Sequence, residues 1–507
     1  MRRGFVRFTF ILFLLFFGVF TVEFLAEWWR LGRPGIDALS FSGVSANAKL
    51  VDVLSPAARA YNNILAMLLA TIGLAIPLTA NMHTPKLIEM FLRDRLNQVI
   101  LIFGAFGAAN VLFIDYIIGP GFAPVWAIRF AVLGVLVGWT LLIPYFFYVV
   151  RFVDPSNILL RLKQRVLDTV DKIRRRRLTA DAAQDLVHEH VHHIGTIVLK
   201  SLDRGDRGVA LEGIWTLKQI LDHYTPHKHA MPDEWFQVDR KDFVGLSVEA
   251  LEFLKQDRTF VEMLVLTQYR IAYRQALARS PDAVSSISDA TRVIAVRAAG
   301  LGDEAAMRLA ARHFNNYLRE ALRARSSHAV YDVFHQYRLL ARDLRDHPSM
   351  TLEIARRIQF YAEEARWNDL PFVPRLAVFD LGYIARRAYE GGLPCTGELL
   401  EIALATPHES GGKIDPLVVK AKLQLGGFFV EKKLPAEAER VRRAIADVPA
   451  DLLVRAEEEL LRAEASYFEI SDRQLALEFV PVERRAHLRE FVRGMLEHAP
   501  LLGSALR

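Results

Sequence analysis

The sequence predicts an all-α protein in two parts: an N-terminal bundle of four transmembrane helices and a large cytosolic helical domain, built as an irregular solenoid or a tetratricopeptide-like stack. Hydrophobic residues make up 52% of the 507 positions although 24% of them are charged, which indicates that apolar and charged segments are segregated along the chain. Long apolar runs occupy residues 1–153. From residue 154 onward, Ala, Leu, Arg and Glu recur with helical periodicity and little period-2 alternation.

Four apolar segments in the transmembrane domain, residues 1–153, are each long enough to cross a hydrocarbon core, which needs about 20 helical residues. They are residues 8–29, 61–78, 98–118 and 125–150. The first ends in Trp28 and Trp29, which is typical of an interfacial aromatic belt. Because that run is long and lacks a small-x-small cleavage site, we expect a retained anchor rather than a signal peptide.

Basic residues predict the orientation of these segments. They lie before the first segment, between the second and third, and after the fourth, where the run Arg174–Arg177 stands. The positive-inside rule then places both termini in the cytoplasm and makes the protein multi-pass. Asp115 and Arg129 flank the short connection between the third and fourth segments, which this orientation places on the outer side of the membrane. We expect an intramembrane ion pair between them, with a conducting or sensing role as the alternative.

The loop between the second and third segments, residues 79–97, predicts a short amphipathic helix. Thr84 supplies an N-cap and Pro85 the first helical position, and the apolar side chains that follow share one face. This helix lies on the inner leaflet or packs as a connector against the protein. Its expected membrane-surface residues are Thr84, Pro85, Lys86, Leu87, Phe91, Arg93, Asp94, Arg95 and Asn97.

The same loop, TPKLIEMFLRDRLNQ after AIPLTANMH, resembles a family of predicted bacterial integral membrane proteins of unknown function. Those proteins carry a related TP-[KR]-L…F-[LV]-RD…N loop between transmembrane helices, and the resemblance continues through HFNNYLREAL at residues 313–322 and VFHQYRLLARDL at residues 333–344. The resemblance implies a bacterial inner-membrane protein with a cytosolic helical region. It implies no activity.

The cytosolic domain, residues 154–507, is divided by Pro, Gly and Asp clusters into about a dozen helices. One stretch has the spacing of a tetratricopeptide helix pair at Leu425, Gly426, Phe429 and Ala438, with Lys433 where that motif usually has glycine. No fixed repeat length runs through the domain. Surfaces of such stacks usually bind peptides or proteins, so we expect a cytosolic protein partner.

Charge and cysteine content exclude several classes. The net charge is +6, and the basic residues cluster beside apolar segments, which favours contact with the lipid bilayer over nucleic-acid binding. The single cysteine, Cys395, excludes an internal disulfide framework.

One motif has the spacing of a catalytic zinc site. His188-Glu189-x-x-His192 is an H-E-x-x-H sequence inside a helix, and in zinc proteases this spacing gives two metal ligands and a general base. Glu212 is the candidate third ligand. The alternatives are adventitious or regulatory metal binding without catalysis, and a solvated or packed helix face, which is favoured since the same helix carries a continuous apolar stripe. Apart from zinc here, we predict no cofactor.

A polar set on two helices that we expect to be neighbours predicts a groove or a buried hydrogen-bond network. It consists of Asn315, Asn316, Arg319, Gln336, Tyr337 and Arg338.

Three functions remain open. The first is a membrane-anchored scaffold whose helical stack binds a cytosolic protein, with self-association into a homo-oligomer as a further expectation. The second is a channel or transporter component gated by the cytosolic domain. The third is a zinc-dependent hydrolase. A non-enzymatic role is favoured over an enzymatic one.

Overall fold

The computed structural model describes residue 18 and residues 21–30, 48–82, 86–118, 122, 124–238, 243, 246–368, 370–410, 412–465 and 476–505. The chain divides into two compact units, Met1–Ile158 and Leu159–Arg507. Most of the first predicted span lies outside the described residues, as do Thr84 and Pro85, and of Lys86 and Leu87 only the helical backbone is described.

In its described residues, the first unit has a helical stretch at residues 21–30 and four further helices. These are α1 (Ala48–Met82), α2 (Lys86–Leu92), α3 (Arg95–Ile117) and α4 (Val125–Val153). α1 packs along both α3 and α4, and α2 contacts α1 and α3. With 35 residues, α1 is longer than the span expected at residues 61–78, because the helix begins thirteen residues before Tyr61.

Among the described helices, α3 and α4 are long and apolar enough to cross a membrane. Only 28% and 17% of their most apolar windows are buried inside the protein, whereas a core helix of a soluble protein buries most of such a surface. Length and composition of these two helices agree with the third and fourth expected spans. The bundle of four spans stays a prediction.

Tyr61 fixes the contact between α1 and its two neighbours. Its ring lies against Gly107 of α3 and its hydroxyl against Gly134 of α4, and a Cβ at either glycine would overlap the tyrosine side chain. Small residues let helix backbones approach closely, which is how helices associate where no water is present to drive burial. The aromatic ring therefore fills a notch that only glycine leaves open.

The second unit is built from helices of ordinary globular length. They are α5 (Pro155–Arg174, which starts in the first unit), α6 (Ala180–Arg204), α7 (Arg207–Tyr224), α8 (Val248–Gln256), α9 (Phe260–Ala276), α10 (Pro281–Gly300), α11 (Glu304–Arg323), α12 (Ser327–Asp343), α13 (Pro348–Trp367), α14 (Phe372–Gly391), α15 (Thr396–Leu404), α16 (Pro416–Glu431), α17 (Pro435–Arg443), α18 (Ala450–Arg462) and α19 (Val482–Ala505). Short 3₁₀ helices occupy Thr225–Ala230 and Asp233–Phe236. A two-stranded antiparallel hairpin, Glu409–Ser410 with Lys413–Ile414, interrupts the helices.

Successive hairpins of these helices stack in two rows. The first row contains α6, α9, α11, α13 and α15, and the second row contains α7, α10, α12, α14, α16 and α19; within each row every helix packs against the next. The predicted all-α fold of stacked helical hairpins is confirmed.

Candidate functional site

The loop motif after the second predicted span is a structural joint between α2 and α3. Asp94 caps α3, because its Oδ1 accepts hydrogen bonds from the backbone N–H groups of Leu96 at 3.0 Å and Asn97 at 3.4 Å. Asn97 Nδ2 donates to the carbonyl of Phe91 at 2.9 Å, and Gln98 Nε2 donates to that of Leu92 at 3.0 Å. The motif residues thus supply hydrogen-bond partners for the free backbone carbonyl groups at the end of α2 and the free N–H groups at the start of α3.

The apolar stripe expected on this joint is divided rather than continuous. Phe91 is fully buried and meets the ring of Phe152 edge-on, with centroids 5.1 Å apart. Ile88 and Leu92 are exposed instead, at 40% and 57%. The burial of Phe91 agrees with the packed-connector alternative, whereas Ile88 and Leu92 leave part of the stripe open, as a helix on the leaflet would. Arg93, paired with Glu89 at 2.7 Å, and Arg95 remain exposed beside it.

Asp115 and Arg129 do not form the expected ion pair. Both side chains are exposed, no ion pair within 4.0 Å joins them among the described side chains, and the Arg129 guanidinium lies over the Trp126 ring, 5.4 Å from its centroid. The charged contact at this end is made by Glu27, which is 3% exposed. Its Oε1 accepts the backbone N–H of Trp126 at 2.6 Å and its Oε2 pairs with Arg30 at 3.2 Å.

The H-E-x-x-H residues lie on α6 without a third ligand beside them. The His188 and His192 rings stack almost parallel, with centroids 6.5 Å apart, and Glu189 pairs with His193 at 3.7 Å. Glu212 is exposed on α7. Among the residues that the structure describes, no group of three or more His, Cys, Asp or Glu side chains is placed to hold a metal ion. Within these described residues, the H-E-x-x-H spacing is not matched by a set of metal ligands in space.

The predicted polar set on α11 and α12 is divided among three places. Tyr337 OH donates to Asn315 Oδ1 at 3.4 Å, and Tyr361 OH donates to the backbone carbonyl of Asn315 at 3.0 Å. This part is a buried network between α11, α12 and α13. Asn316 is half-buried on α11, and Arg319 lines a separate cavity of about 310 Å³ with Phe360 and Glu364.

Gln336 and Arg338 belong to a different feature, a series of arginines along the second row. Each helix of that row is joined to the next by an arginine, and we call this series the arginine row. Its members and partners are Arg297 with the Asp222 carbonyl (2.9 Å), Arg292 with Gln336 (2.9 Å) and Asp343 (2.7 Å), Arg338 with Asp380 (3.5 Å), Arg386 with Gln424 (3.4 Å), and Arg484 with Glu431 (2.5 Å).

Arg386 is the member of the arginine row without an acidic partner, since no carboxylate lies within 4.0 Å of it among the described residues; Gln424 Oε1 is its acceptor. Burial, and next the charge of Arg484, lower the pKa of Arg386 to about 10, so the guanidinium stays protonated at neutral pH. Arg338, by contrast, pairs with the fully buried Asp380 and lies over the Tyr383 ring at 4.5 Å.

A groove of about 640 Å³ opens on the same row, between α10, α12, the start of α13, and α14. We call it the second-row groove. Aliphatic side chains form its floor, among them Val296, Ala341 and Ile384, and charges of both signs line its sides. The charged residues are Arg342, Asp343, Arg345, Asp346, Arg387 and Glu390. Such a mixed lining suits a peptide segment that carries apolar and charged side chains.

Sequence reasoning missed the second-row groove and most of the arginine row. Partners in the arginine row lie between 38 and 75 positions apart, so no local pattern reveals them. The available signal was the expectation of stacked hairpins, in which alternate helices are neighbours.

Comparisons with known proteins add little to this description. No protein-family model matches the chain, and no curated protein matches it. Among solved structures, a circular tandem repeat protein with novel repeat topology and enhanced subunit contact surfaces is similar over 89% of this chain and 99% of its own length, at 13% identity and a TM-score of 0.26. The assignment of stacked hairpins rests on the helix contacts themselves.

Proposed function

We propose that the chain is a membrane-anchored helical scaffold whose second-row groove binds a segment of a cytosolic protein. The observation that carries the proposal is the groove of about 640 Å³ on a row of stacked helices, lined by aliphatic and charged residues together. Stacked hairpins hold such a surface rigidly, which lowers the ordering cost of binding. The proposal requires no cofactor and no reaction.

The membrane part of the proposal rests on α3 and α4, which are apolar, long and largely exposed within the unit. Exposed apolar side chains on α4 include Phe130, Leu133, Ile143 and Phe147. A surface of this kind is stable in lipid and aggregates in water. We place the protein in the bacterial inner membrane with both termini in the cytoplasm.

Topology is tested by single cysteines in a Cys395→Ser background. Asp115→Cys lies at the expected outer end of α3, and Arg151→Cys lies near the inner end of α4. In intact spheroplasts a membrane-impermeant maleimide should label position 115 and leave position 151 unlabelled until the membrane is permeabilised. Labelling of both positions without permeabilisation would contradict the topology.

The groove is tested by photo-cross-linking in living cells. A benzoylphenylalanine at position 345 replaces an arginine that lines the groove and is 77% exposed. The matched control is position 367, where a tryptophan at the end of α13 is 86% exposed. We expect a defined protein adduct from position 345 and none from position 367.

Charge reversal distinguishes a specific adduct from a chance encounter. Arg387→Glu reverses a charge inside the groove, and Arg274→Glu reverses one on α9 in the first row, where the arginine is 78% exposed. The adduct should disappear with the first substitution and persist with the second. Adducts of equal yield from positions 345 and 367, or insensitivity to Arg387→Glu, would refute the groove as the binding surface.

A further inference from the structure

α1 has two unlike faces, and the face turned away from the bundle carries a strip of polar and small residues. Leu54, Tyr61, Ile64 and Leu68 form the buried stripe against α3 and α4, each at most 5% exposed. The opposite face presents Asp52, Ser55, Arg59, Asn62 and Asn63, all exposed. The exposed side of α4 carries large apolar residues instead. The exposed apolar residues of α1, Met67, Leu69 and Leu74, lie on either side of this polar strip, so the strip itself lacks the composition of a lipid-facing surface.

Contacts of Tyr61 fix the depth of this polar face. The ring packs on Gly107 and Gly134, which lie ten residues before the end of α3 and nine residues after the start of α4. At 1.5 Å per residue, Tyr61 is about 14 Å from the outer ends of both helices. A hydrocarbon core is about 30 Å thick. Asn62 and Asn63, next in the chain, are therefore near its middle.

Two amides at this depth need partners. Neither Asn62 nor Asn63 has a hydrogen-bond partner within the described part of the chain. Arg59 bonds to Ser55, through Nη2 to Oγ at 3.3 Å and through Nε to the carbonyl at 3.4 Å. In hydrocarbon each unpaired polar group costs several kcal/mol, so this face is not a stable contact with lipid.

We propose that a second copy of the chain covers this face, with α1 packed against α1 of the partner copy in a parallel twofold arrangement. This inference rests on the membrane part of the proposed function. An amide is both donor and acceptor, so Asn62 and Asn63 are satisfied by the same residues of a symmetry-related helix. Below them, Ala66, Ala70 and Gly73 continue the face at helical spacing, all exposed, and small residues permit close helix approach.

Charge on the same face is self-complementary. Hydrogen bonds to Ser55 hold the Arg59 guanidinium one helical turn before Arg59 itself. Asp52 precedes Ser55 by three residues, about 4.5 Å along the axis of α1 toward the outer side of the membrane. In a twofold pair, each guanidinium faces the partner copy's carboxylate at this level. Arg59 and Asp52 thus neutralise each other between copies rather than within one.

Cysteine cross-linking in native membranes tests the contact. In the Cys395→Ser background, Ala70→Cys lies on the proposed interface and Leu133→Cys lies on the exposed side of α4, where the leucine is 53% exposed. A short bis-maleimide should give covalent dimers from position 70 and none from position 133. Dimers from both positions in equal yield, or from neither, would overturn the proposal.

Substitution of the amides tests their role. Asn62→Leu with Asn63→Leu should weaken the dimer about tenfold, as counted by subunits in lipid nanodiscs across a dilution series, because the hydrogen bonds that both amides make between the helices are lost. The matched control, Phe130→Leu on α4, should leave the dimer unchanged. An unchanged dimer with both amides replaced would refute the interface.

Two further measurements distinguish the dimer contact from an aqueous path along α1 and from the absence of a membrane anchor. Complete labelling of the Ala70→Cys variant by a membrane-impermeant maleimide would show that the face lines an aqueous path, and it would overturn the dimer contact. Extraction of the full chain by alkaline carbonate would refute the membrane anchor itself. Carbonate-resistant protein that stays monomeric would refute the dimer contact alone.

Discussion

Lys422 offers the sharpest test of the packing in the second unit. It lies on α16 with 2% exposure, and its Nζ donates to the carbonyl of Ala444 at 3.4 Å. No carboxylate lies within 4.0 Å of it among the described residues. Burial lowers the pKa of the Lys422 ammonium to about 8, an effect that the charge of Asp447 opposes. Lys422→Met should therefore stabilise the protein.

The size of the effect follows from the pKa. A change from 10.5 to about 8 corresponds to about 3 kcal/mol at neutral pH, at 1.36 kcal/mol for each tenfold change. Between these two pKa values the unfolded chain holds the proton and the folded chain has released it. The free energy of unfolding of the wild type therefore rises as pH increases through this window. At pH 9.5 the gain from Lys422→Met should be smaller by roughly 2 kcal/mol.

Denaturant unfolding of the full-length protein in detergent, at pH 7.0 and pH 9.5, measures both quantities. Lys163→Met is the control, since that amine bonds to Gln219 at the surface, 2.7 Å away, and its loss should change stability by less than about 0.5 kcal/mol. A gain from Lys422→Met that is absent at pH 7.0, or equal at the two pH values, would refute the reasoning.

Three further predictions concern the second unit. Burial lowers the pKa of His313 to about 4, so between about pH 4 and 6.5 the unfolded chain binds a proton that the folded chain does not. The free energy of unfolding should therefore fall by up to about 3 kcal/mol as pH decreases through that range. Urea titrations at several pH values should show a smaller fall for His313→Leu. Gly426→Val should cost about 2–3 kcal/mol, because a Cβ there overlaps the Phe491 ring; faster hydrogen exchange in α19 would report it, and unchanged exchange would contradict it. Lys433 has a φ of +56°, which is strained for a residue with a side chain. Lys433→Gly should relieve this strain, add about 0.5 kcal/mol to the free energy of unfolding and raise the melting temperature; a lower melting temperature would contradict the strain.

The helical stack could be predicted because its signals are local. One of the expected Gly and Asp clusters separates α6 from α7, where Gly205 takes a left-handed conformation with φ +75°. The glycine position of the tetratricopeptide-like pair is occupied by Lys433, and the backbone keeps the positive φ that the motif requires. Caps, breaks and helical periodicity act within a few residues of each other, so sequence reveals them.

Sites assembled from distant residues could not be predicted in this way. His188 and His192 have the spacing of metal ligands, but ligation requires a third group whose position depends on packing. Arg319 and Gln336 lie on neighbouring helices, yet Arg319 lines a cavity whereas Gln336 accepts a hydrogen bond from Arg292. The amide side chain of Asn97 illustrates a related limit: its position in a recognisable motif suggests function, while its hydrogen bond to Phe91 completes a turn.

The arginine row also determines how the second row responds to salt. Arg292, Arg338 and Arg484 are less than 20% exposed, so added salt screens their contacts little. Arg297, at the α7 end of the row, is 45% exposed, and its contact is screened more readily. Rising ionic strength should therefore loosen α7 from α10 first and leave α10, α12 and α14, which line the second-row groove, held together.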